Sequence, residues 1–188
     1  MQRLKIILTK SLSSKNVKAL PSSAGLHNKG ETMENLTRIA SFSVNHDFID
    51  EGIYISRIDG DITTYDMRTR RPNMGDYMDN LTMHSVEHLF ATYVRNSKIS
   101  DRVIYFGPMG CQTGSYLLVK DAKNEEVLEV VLDVLKKITE HDGAMPGAVR
   151  EECGNYKNLS LDAAKRECKR YLDILSSKKC DFKYKENK

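Results

Sequence analysis

The chain has 188 residues, of which 40% are apolar and 29% charged, and its formal net charge at pH 7 is +3. This length accommodates one well-buried core, and no run of about 18 apolar residues could cross a bilayer, so we expect a soluble protein of one domain. Residues 1–32 hold six Lys or Arg against one Glu, or +5, whereas the remainder holds 23 basic and 25 acidic residues, or −2. The composition therefore does not predict a nucleic-acid surface.

The chain divides into three parts by pattern. Residues 1–32 lack an apolar periodicity and are predicted to form a flexible N-terminal extension, residues 33–180 to form the folded domain, and residues 181–188 to form a charged tail. The apolar run at residues 4–8 is too short for a secretory signal. The four cysteines have no disulfide-framework spacing, which predicts a reducing, cytoplasmic compartment. They are Cys111, Cys153, Cys168 and Cys180.

Several stretches predict β-strands. Residues 38–49 combine a strand pattern with a polar turn, and residues 52–58 and 61–69 flank Asp59-Gly60, the preferred dipeptide of a type I′ hairpin. Residues 102–106 and 115–120 are predicted as two further strands. The loop between them, residues 107–114, contains three glycines and a proline, which predicts a tight turn with Cys111 as its one reactive side chain.

Two helices are predicted in the second half of the chain. The first has an apolar stripe from Val127 to Ile138 and is capped by Asn124 or Asp121. The second is capped by Ser160, and its apolar stripe includes Cys168, which is therefore a predicted core residue. In the strand at residues 61–69, Asp66 and Arg68 share one face, either as an exposed ion pair or as part of a site.

The most informative stretch is His-x-x-Glu-His at residues 84–88, the zincin signature in reverse order. On a helix, His84, Glu87 and His88 lie on one face, and the apolar residues that follow lie on the opposite one. Two imidazoles four residues apart can bind one divalent metal, and the carboxylate beside them is a base next to whatever the metal polarises. We therefore predict a metal site on this central helix.

A catalytic metal needs a third protein ligand and an open position. Cys153, in a loop and followed by glycine, is the best candidate ligand, which leaves Cys111 as a second, unligated thiol. Glu87 and Cys111 could then transfer protons on opposite sides of a bound substrate. Two alternatives remain: a metallopeptidase of the inverted-zincin type, and a structural zinc module that uses Cys153 with Cys168 or Cys180.

Five segments in chain order resemble the successive motifs of the S-ribosylhomocysteine lyase (LuxS) family, over roughly residues 33–175. The sequence differs from many relatives at Tyr105-Phe106-Gly107, where they carry Asp-Ile-Ser. The five segments are Ile39-Ala40-Ser41-Phe42 with His46, Thr64-Tyr65-Asp66-Met67-Arg68 with Pro72-Asn73, His84-Ser85-Val86-Glu87-His88-Leu89, residues 107–114, and Cys153-Gly154.

The resemblance implies an α+β domain, with a small antiparallel sheet packed against helices, that cleaves S-ribosylhomocysteine to homocysteine and 4,5-dihydroxy-2,3-pentanedione, the autoinducer-2 precursor. It also implies a homodimer with active sites shared across the interface, where Arg68 and His46 meet the metal helix and Cys111 of the partner. By the same resemblance one divalent metal, Fe(II) natively with Zn or Co as substitutes, is bound by each chain. The residue roles that it implies are metal binding by His84, His88 and Cys153, acid/base catalysis by Glu87 and Cys111, and substrate contact by Ser41, His46 and Arg68.

Overall fold

A computed structural model of the protein describes residue 37 and residues 39–185, and the latter belong to one compact unit. The predicted extension, residues 1–32, lies outside the described residues, so the division into residues 1–32, 33–180 and 181–188 stays a prediction. Within the described part of the chain, no helix is both long enough and apolar enough to span a membrane.

The sheet has four antiparallel strands in the spatial order β1-β2-β4-β3. The strands are β1 (Gly52–Asp59), β2 (Ile62–Arg68), β3 (Val103–Pro108) and β4 (Gly114–Lys120). All four strands lie where the sequence patterns predicted them, and the antiparallel sheet is as the family resemblance implied. The prediction of an α+β fold with one small sheet is confirmed.

The β1-β2 hairpin forms where predicted, with its turn shifted by one residue. Asp59 pairs with Ile62, so the two loop residues are Gly60 and Asp61. Gly60 has a φ of 61°, and Asp61 is not among the positive-φ residues of the described chain. A positive φ at the first central residue alone is the pattern of a type II′ turn, so the type I′ prediction was wrong.

Among residues 39–49 the predicted strand does not form, whereas the polar turn predicted at Asn45-His46-Asp47 does. Instead this segment contains a short helix, α1 (Ala40–Ser43), and a single 3₁₀ turn over His46–Phe48. The side chain of Asn45 accepts a hydrogen bond from the Asp47 backbone N–H at 3.1 Å, which closes the 3₁₀ turn locally. This side-chain bond gives the backbone an alternative to pairing in a sheet.

Three longer helices complete the domain: α2 (Asn80–Val94), α3 (Asn124–Glu140) and α4 (Leu161–Ser176). The side chain of Asp79 caps α2, and that of Ser160 caps α4 as predicted. The predicted cap of α3 was wrong, because Lys123 occupies the N-cap position and no side chain bonds there. The Asn124 side chain instead accepts a hydrogen bond from the Tyr65 hydroxyl at 2.6 Å, which ties α3 to the sheet.

The helices cover one face of the sheet. Tyr65 and Met67 of β2 face this core, which also contains Cys168 at 1% exposure, as predicted. The alternate residue Asp66 faces the other side of the sheet, directly across from Tyr54 of β1 and Tyr116 of β4. The apolar side chains that the helices bury include Val86, Leu89, Phe90, Val94, Val127, Val130, Val131, Val134, Leu135, Ile138, Ala164, Tyr171 and Leu175.

An ion pair joins the end of β2 to α4. Arg70 donates two hydrogen bonds to the Glu167 carboxylate, at 2.7 and 2.5 Å. Their side chains are only 12% and 5% exposed, although Glu167 lies on the largely apolar stripe of α4. The pair explains why a carboxylate is tolerated on the buried face of a helix.

We predict that Glu167→Ala lowers the free energy of unfolding by about 3 kcal/mol, because it leaves the buried Arg70 guanidinium without its main partner. Asp173→Ala is the matched control, since Asp173 pairs with Lys169 on the exposed side of the same helix, and its loss should cost less than about 0.5 kcal/mol. Urea unfolding monitored by circular dichroism measures both. Equal effects of the two substitutions would contradict this account of α4 packing.

Candidate functional site

Three potential metal ligands lie together beside the open face of α2. His84 and His88 come from this helix and Cys153 from the loop before α4, and one ligand atom of each lies within 4.8 Å of the others. The Cys153 Sγ is 3.4 Å from the His84 Nε2. It is the one cluster of three such side chains in the part of the chain that the structure describes. The three metal ligands predicted from the sequence therefore lie together in the fold.

Backbone carbonyls orient both imidazole rings. The Nδ1 of His84 lies 2.9 Å from the Asn158 carbonyl oxygen, and the Nδ1 of His88 lies 2.8 Å from that of Pro146. A ring that donates from Nδ1 leaves its Nε2 deprotonated and free to bind a metal. Both rings are thus held in the tautomer that a metal site requires.

The loop that supplies these carbonyls fits closely against the helix. Gly147 has a φ of 66°, and a Cβ atom there would lie 2.8 Å from the His88 Nδ1. The Asn155 backbone N–H donates a hydrogen bond to the Cys153 Sγ at 3.4 Å, which helps to orient the sulfur toward the helix. Two neutral imidazoles and one thiolate suit a tetrahedral divalent metal such as Zn²⁺, and Fe(II) or Co(II) also accept these ligands.

The three ligands line an open pocket of about 640 Å³. Glu87 lines this pocket together with the three ligands. Glu87 follows His84 by three residues on α2, so its side chain lies on the same helical face as the two imidazoles. The arrangement can therefore place a carboxylate base next to a metal-bound substrate.

A second cluster surrounds Cys111, in the loop between β3 and β4. The Nη1 of Arg68 lies 3.8 Å from the Cys111 Sγ and donates a hydrogen bond to the Thr113 Oγ1 at 2.6 Å. The same Thr113 oxygen is 3.0 Å from the sulfur. Since Thr113 accepts from Arg68, its own hydrogen can be donated to Cys111, so the sulfur has two polar neighbours.

The end of β2 holds the Cys111 loop in place. The Thr113 carbonyl oxygen accepts hydrogen bonds from the backbone N–H groups of Thr69 and Arg70, at 3.0 and 2.9 Å. At Gly114 a Cβ atom would lie 2.4 Å from the Met67 carbonyl oxygen, so only glycine allows the two backbones to approach this closely. The thiol is therefore presented by a rigid turn, as the sequence predicted.

Asp66 and Arg68 form a buried pair and not an exposed one, with exposures of 1% and 2%. The Nε and Nη2 of Arg68 donate to the two oxygens of Asp66 at 3.0 and 2.5 Å. Burial alone lowers the pKa of Arg68, but the charge and hydrogen bonds of Asp66 outweigh it and raise that pKa above its usual value. Arg68 therefore keeps its positive charge beside Cys111.

The structure places Arg68 and Cys111 together in a way that differs from the arrangement implied by the family resemblance. That arrangement put Arg68 on one chain and Cys111 on the other, whereas the structure brings the two into contact within a single chain. Among the described residues, neither Cys111 nor Arg68 lines the pocket around His84, His88 and Cys153. One chain thus presents a metal cluster and a separate thiol cluster.

The remaining predicted substrate contacts, Ser41 and His46, do not line the pocket around His84, His88 and Cys153. Ser41 of α1 lines a cavity of about 260 Å³ on the sheet face opposite the helices, together with Tyr105 and Tyr116. His46 is half-buried in the 3₁₀ turn, and its Nδ1 lies 3.0 Å from the Val44 carbonyl oxygen. Their roles as substrate contacts stay predictions.

Comparison with known proteins identifies the family. The model of the family described as S-ribosylhomocysteinase (LuxS) matches residues 39–181. The chain belongs to the LuxS family. The curated S-ribosylhomocysteine lyase of Finegoldia magna is 40% identical over 147 residues, which cover 76% of this chain and 94% of that protein. That of Clostridium beijerinckii is 42% identical over 147 residues (74% and 92%), and that of Borreliella burgdorferi strain ZS7 is 38% identical over 156 residues (79% and 99%).

Membership of the LuxS family argues against the two alternatives left open by the sequence, a peptidase and a structural zinc module. An inverted-zincin peptidase shares only the helix motif, whereas the LuxS match extends over the whole described domain. In a structural zinc module, Cys168 or Cys180 would join Cys153. Within residues 39–185, however, the cluster consists of His84, His88 and Cys153, and Cys168 is buried in the core at 1% exposure.

The replacement of Asp-Ile-Ser in this LuxS family member has a local explanation. The phenol ring of Tyr105 folds over Gly107, where a Cβ atom would lie 1.9 Å from the Tyr105 hydroxyl. A side chain at residue 107 is therefore incompatible with this position of Tyr105. Tyr105 in this position therefore requires glycine at residue 107.

Several contributors to the site carry no sequence signal of their own. Thr113 was not singled out, although it bonds both Arg68 and Cys111. The carbonyls of Pro146 and Asn158 are backbone groups, so the residue type does not reveal them. Asp66 was singled out from the sequence, because an Asp two residues before an Arg on a strand faces the same side.

We predict that Cys153→Ala abolishes stoichiometric metal binding, because it removes one of three protein ligands. Cys111→Ala should retain one metal per chain and lose turnover, since Cys111 lies in the other cluster. Metal analysis of the purified proteins measures the first effect, and thiol release measures the second. A Cys111→Ala protein that purifies without metal would contradict the separation of the two clusters.

Proposed function

We propose that this chain is a metal-dependent lyase that cleaves the thioether of S-ribosylhomocysteine to L-homocysteine and 4,5-dihydroxy-2,3-pentanedione. The observation that carries the proposal is the convergence of His84, His88 and Cys153 beside Glu87, in a chain about 40% identical to curated S-ribosylhomocysteine lyases. The reaction moves the sugar carbonyl from C1 to C3 and then eliminates the homocysteine sulfur from C5.

The three ligands would hold one divalent metal per chain, with Fe(II) as the native ion and Zn or Co as substitutes. When bound, the metal supplies a Lewis acid that polarises the oxygens of the sugar. The protein contributes the orientation of the ligands, through the carbonyls of Pro146 and Asn158. It also places Glu87 in the lining of the same pocket as the three ligands.

Proton transfer is assigned to Glu87 and Cys111. Each step of the carbonyl migration removes a proton from one carbon and returns a proton to its neighbour, and the elimination removes the C4 proton as the C5–S bond breaks. The carboxylate of Glu87 acts beside the metal as one acid/base group. The Cys111 thiol acts as the other, with Arg68 and Thr113 as polar neighbours of its sulfur.

Substrate contacts are assigned to Ser41, His46 and Arg68. Of the three, Arg68 has the clearest geometry, because its Nη1 reaches the Cys111 sulfur while Asp66 holds the rest of the guanidinium. A substrate hydroxyl or carboxylate bound near Cys111 would meet this charged donor. Ser41 borders a cavity on the same sheet face as Asp66 and Arg68.

The active protein is proposed to be a homodimer with two shared sites. A single chain separates the metal cluster from the thiol cluster, and the proposed chemistry needs both at one substrate. The sheet face without helices carries large exposed side chains near Ser41, including Ile39 and Tyr105, as expected of an interface. The thiol cluster of one chain would then complete the metal cluster of its partner.

The proposed location is the cytoplasm, where free thiols persist and where methionine metabolism supplies the substrate. The dihydroxypentanedione product is the precursor of autoinducer-2, so the reaction would contribute both to quorum sensing and to homocysteine recycling. No nucleic-acid or membrane partner is proposed.

We predict that the purified protein, incubated anaerobically with S-ribosylhomocysteine, releases a stoichiometric thiol. Glu87→Gln should lower kcat/KM by a factor of about 100 to 10,000, because it removes an acid/base group without changing its size. Glu140→Gln, at the exposed end of α3, is the matched control and should be as active as the parent protein. Glu87→Gln protein with full activity would refute the assigned base, and a parent protein that releases no thiol would refute the lyase.

A further inference from the structure

The segment after α4 crosses the outer edge of β1. The Phe182 carbonyl oxygen accepts a hydrogen bond from the Ile55 backbone N–H at 2.9 Å, and Phe182 forms an isolated parallel bridge with Tyr54. The Phe182 side chain is buried in the core at 7% exposure, with its ring edge toward Tyr65. Residues 181–185 alternate three charged residues with two aromatic ones, and Phe182 anchors the segment in the core.

The chain turns at Phe182, which has a φ of 61°, and the next aromatic residue lies on the other face of the sheet. There the ring of Tyr184 stacks on that of Tyr54, with centroids 4.8 Å apart and an angle of 11° between the planes. The Tyr184 hydroxyl donates a hydrogen bond to the Asp66 Oδ2 at 2.8 Å. Burial, followed by the charge of Asp66, raises the pKa of Tyr184, so this hydroxyl remains a donor.

Asp66 therefore lies between the C-terminal segment and the thiol cluster. Its Oδ2 accepts from both Tyr184 and the Nη2 of Arg68, and its Oδ1 accepts from the Nε of Arg68. The remaining nitrogen, Nη1, is directed at Thr113 and Cys111. A continuous chain of polar contacts thus runs from Tyr184 to the reactive sulfur.

We propose that Tyr184 is a positioning residue, whose hydroxyl fixes the Asp66 carboxylate so that Arg68 points its Nη1 at Cys111. The proposal rests on the proposed function of Arg68 and Cys111. A carboxylate on a two-bond side chain can rotate, and the third donor selects the rotation that presents both oxygens to Arg68. Loss of that donor lets the buried pair tilt, and small misplacements of a catalytic group have large kinetic effects.

Two tyrosines in one stack provide a matched experiment. Tyr184→Phe removes the hydroxyl bound to Asp66, whereas Tyr54→Phe removes a hydroxyl that donates to the Asp50 carbonyl oxygen at 2.9 Å. Both substitutions keep the stacked rings and the fold of the segment. We expect Tyr184→Phe to lower kcat/KM for S-ribosylhomocysteine about tenfold, as for other bonds to charged groups, and Tyr54→Phe to leave it within about twofold.

A double-substitution cycle tests whether the effect passes through the arginine. In protein that already carries Arg68→Lys, which keeps the charge but loses the paired contact with Asp66, Tyr184→Phe should lower kcat/KM by less than about twofold. A tenfold further loss in that background would overturn the proposal, because Tyr184 would then act independently of Arg68.

A readout that needs no turnover is the exchange of the Arg68 Nε hydrogen with solvent, measured by NMR on the full-length, metal-loaded protein. Tyr184→Phe should accelerate this exchange about tenfold, and Tyr54→Phe should not change it. Unchanged exchange in the Tyr184→Phe protein would overturn the proposal even if the parent enzyme is fully active. Accelerated exchange without a fall in kcat/KM would overturn it too. If the parent protein does not cleave S-ribosylhomocysteine, the proposed function fails, and the exchange rates still decide whether Tyr184 holds Arg68 in place.

Discussion

The site depends on the packing of α2, which must bury one side of the helix and leave the other side open. Val86, Leu89 and Phe90 fix the rotation of this helix against the sheet and the other helices. That rotation leaves His84 and His88 at the surface, where the loop before α4 meets them with two carbonyl oxygens and the Cys153 sulfur. Because both Nδ1 atoms are engaged, both Nε2 atoms are free to bind a metal. Packing therefore determines the chemistry that this face of the helix can perform.

A second set of constraints acts at the end of β2. Arg68 and Arg70 point to opposite faces of this strand and its extension, the first to Asp66 and Cys111 and the second to Glu167 of α4. Each guanidinium is almost fully enclosed, so each must keep a carboxylate partner or lose several kcal/mol. These pairs fix the position of the Cys111 loop relative to the helices without any covalent link. The strand is thus a rigid connection between the thiol cluster and the core beneath α2.

Much of the fold and of the metal cluster could be predicted from the sequence, since both follow from short-range periodicity. The His-x-x-Glu-His spacing defines one helical face, and the hairpin residues define the strand pairing. The segment before Ile49 was mistaken for a strand, because the local bond from the Asn45 side chain outweighs β propensity there. The burial of Asp66 and Arg68 could not be predicted either, because Tyr184, which bonds to Asp66, lies more than a hundred residues away in sequence. Likewise, the contact of Arg68 with Cys111 depends on the neighbouring position of β2 and β4, which no local pattern reports.

We propose that the metal cluster of one chain acts with the thiol cluster of its partner, and mixing two inactive variants tests this sharing most directly. Glu87→Gln and Cys111→Ala chains, each metal-loaded, are combined equally and allowed to exchange subunits. About half of the dimers are then mixed, and in each of these one site receives both substitutions while the other receives neither. The account predicts that about one quarter of the parent activity returns. If exchange is demonstrated by mass spectrometry and activity stays at the level of the separate variants, each site is built within one chain and the claim is contradicted.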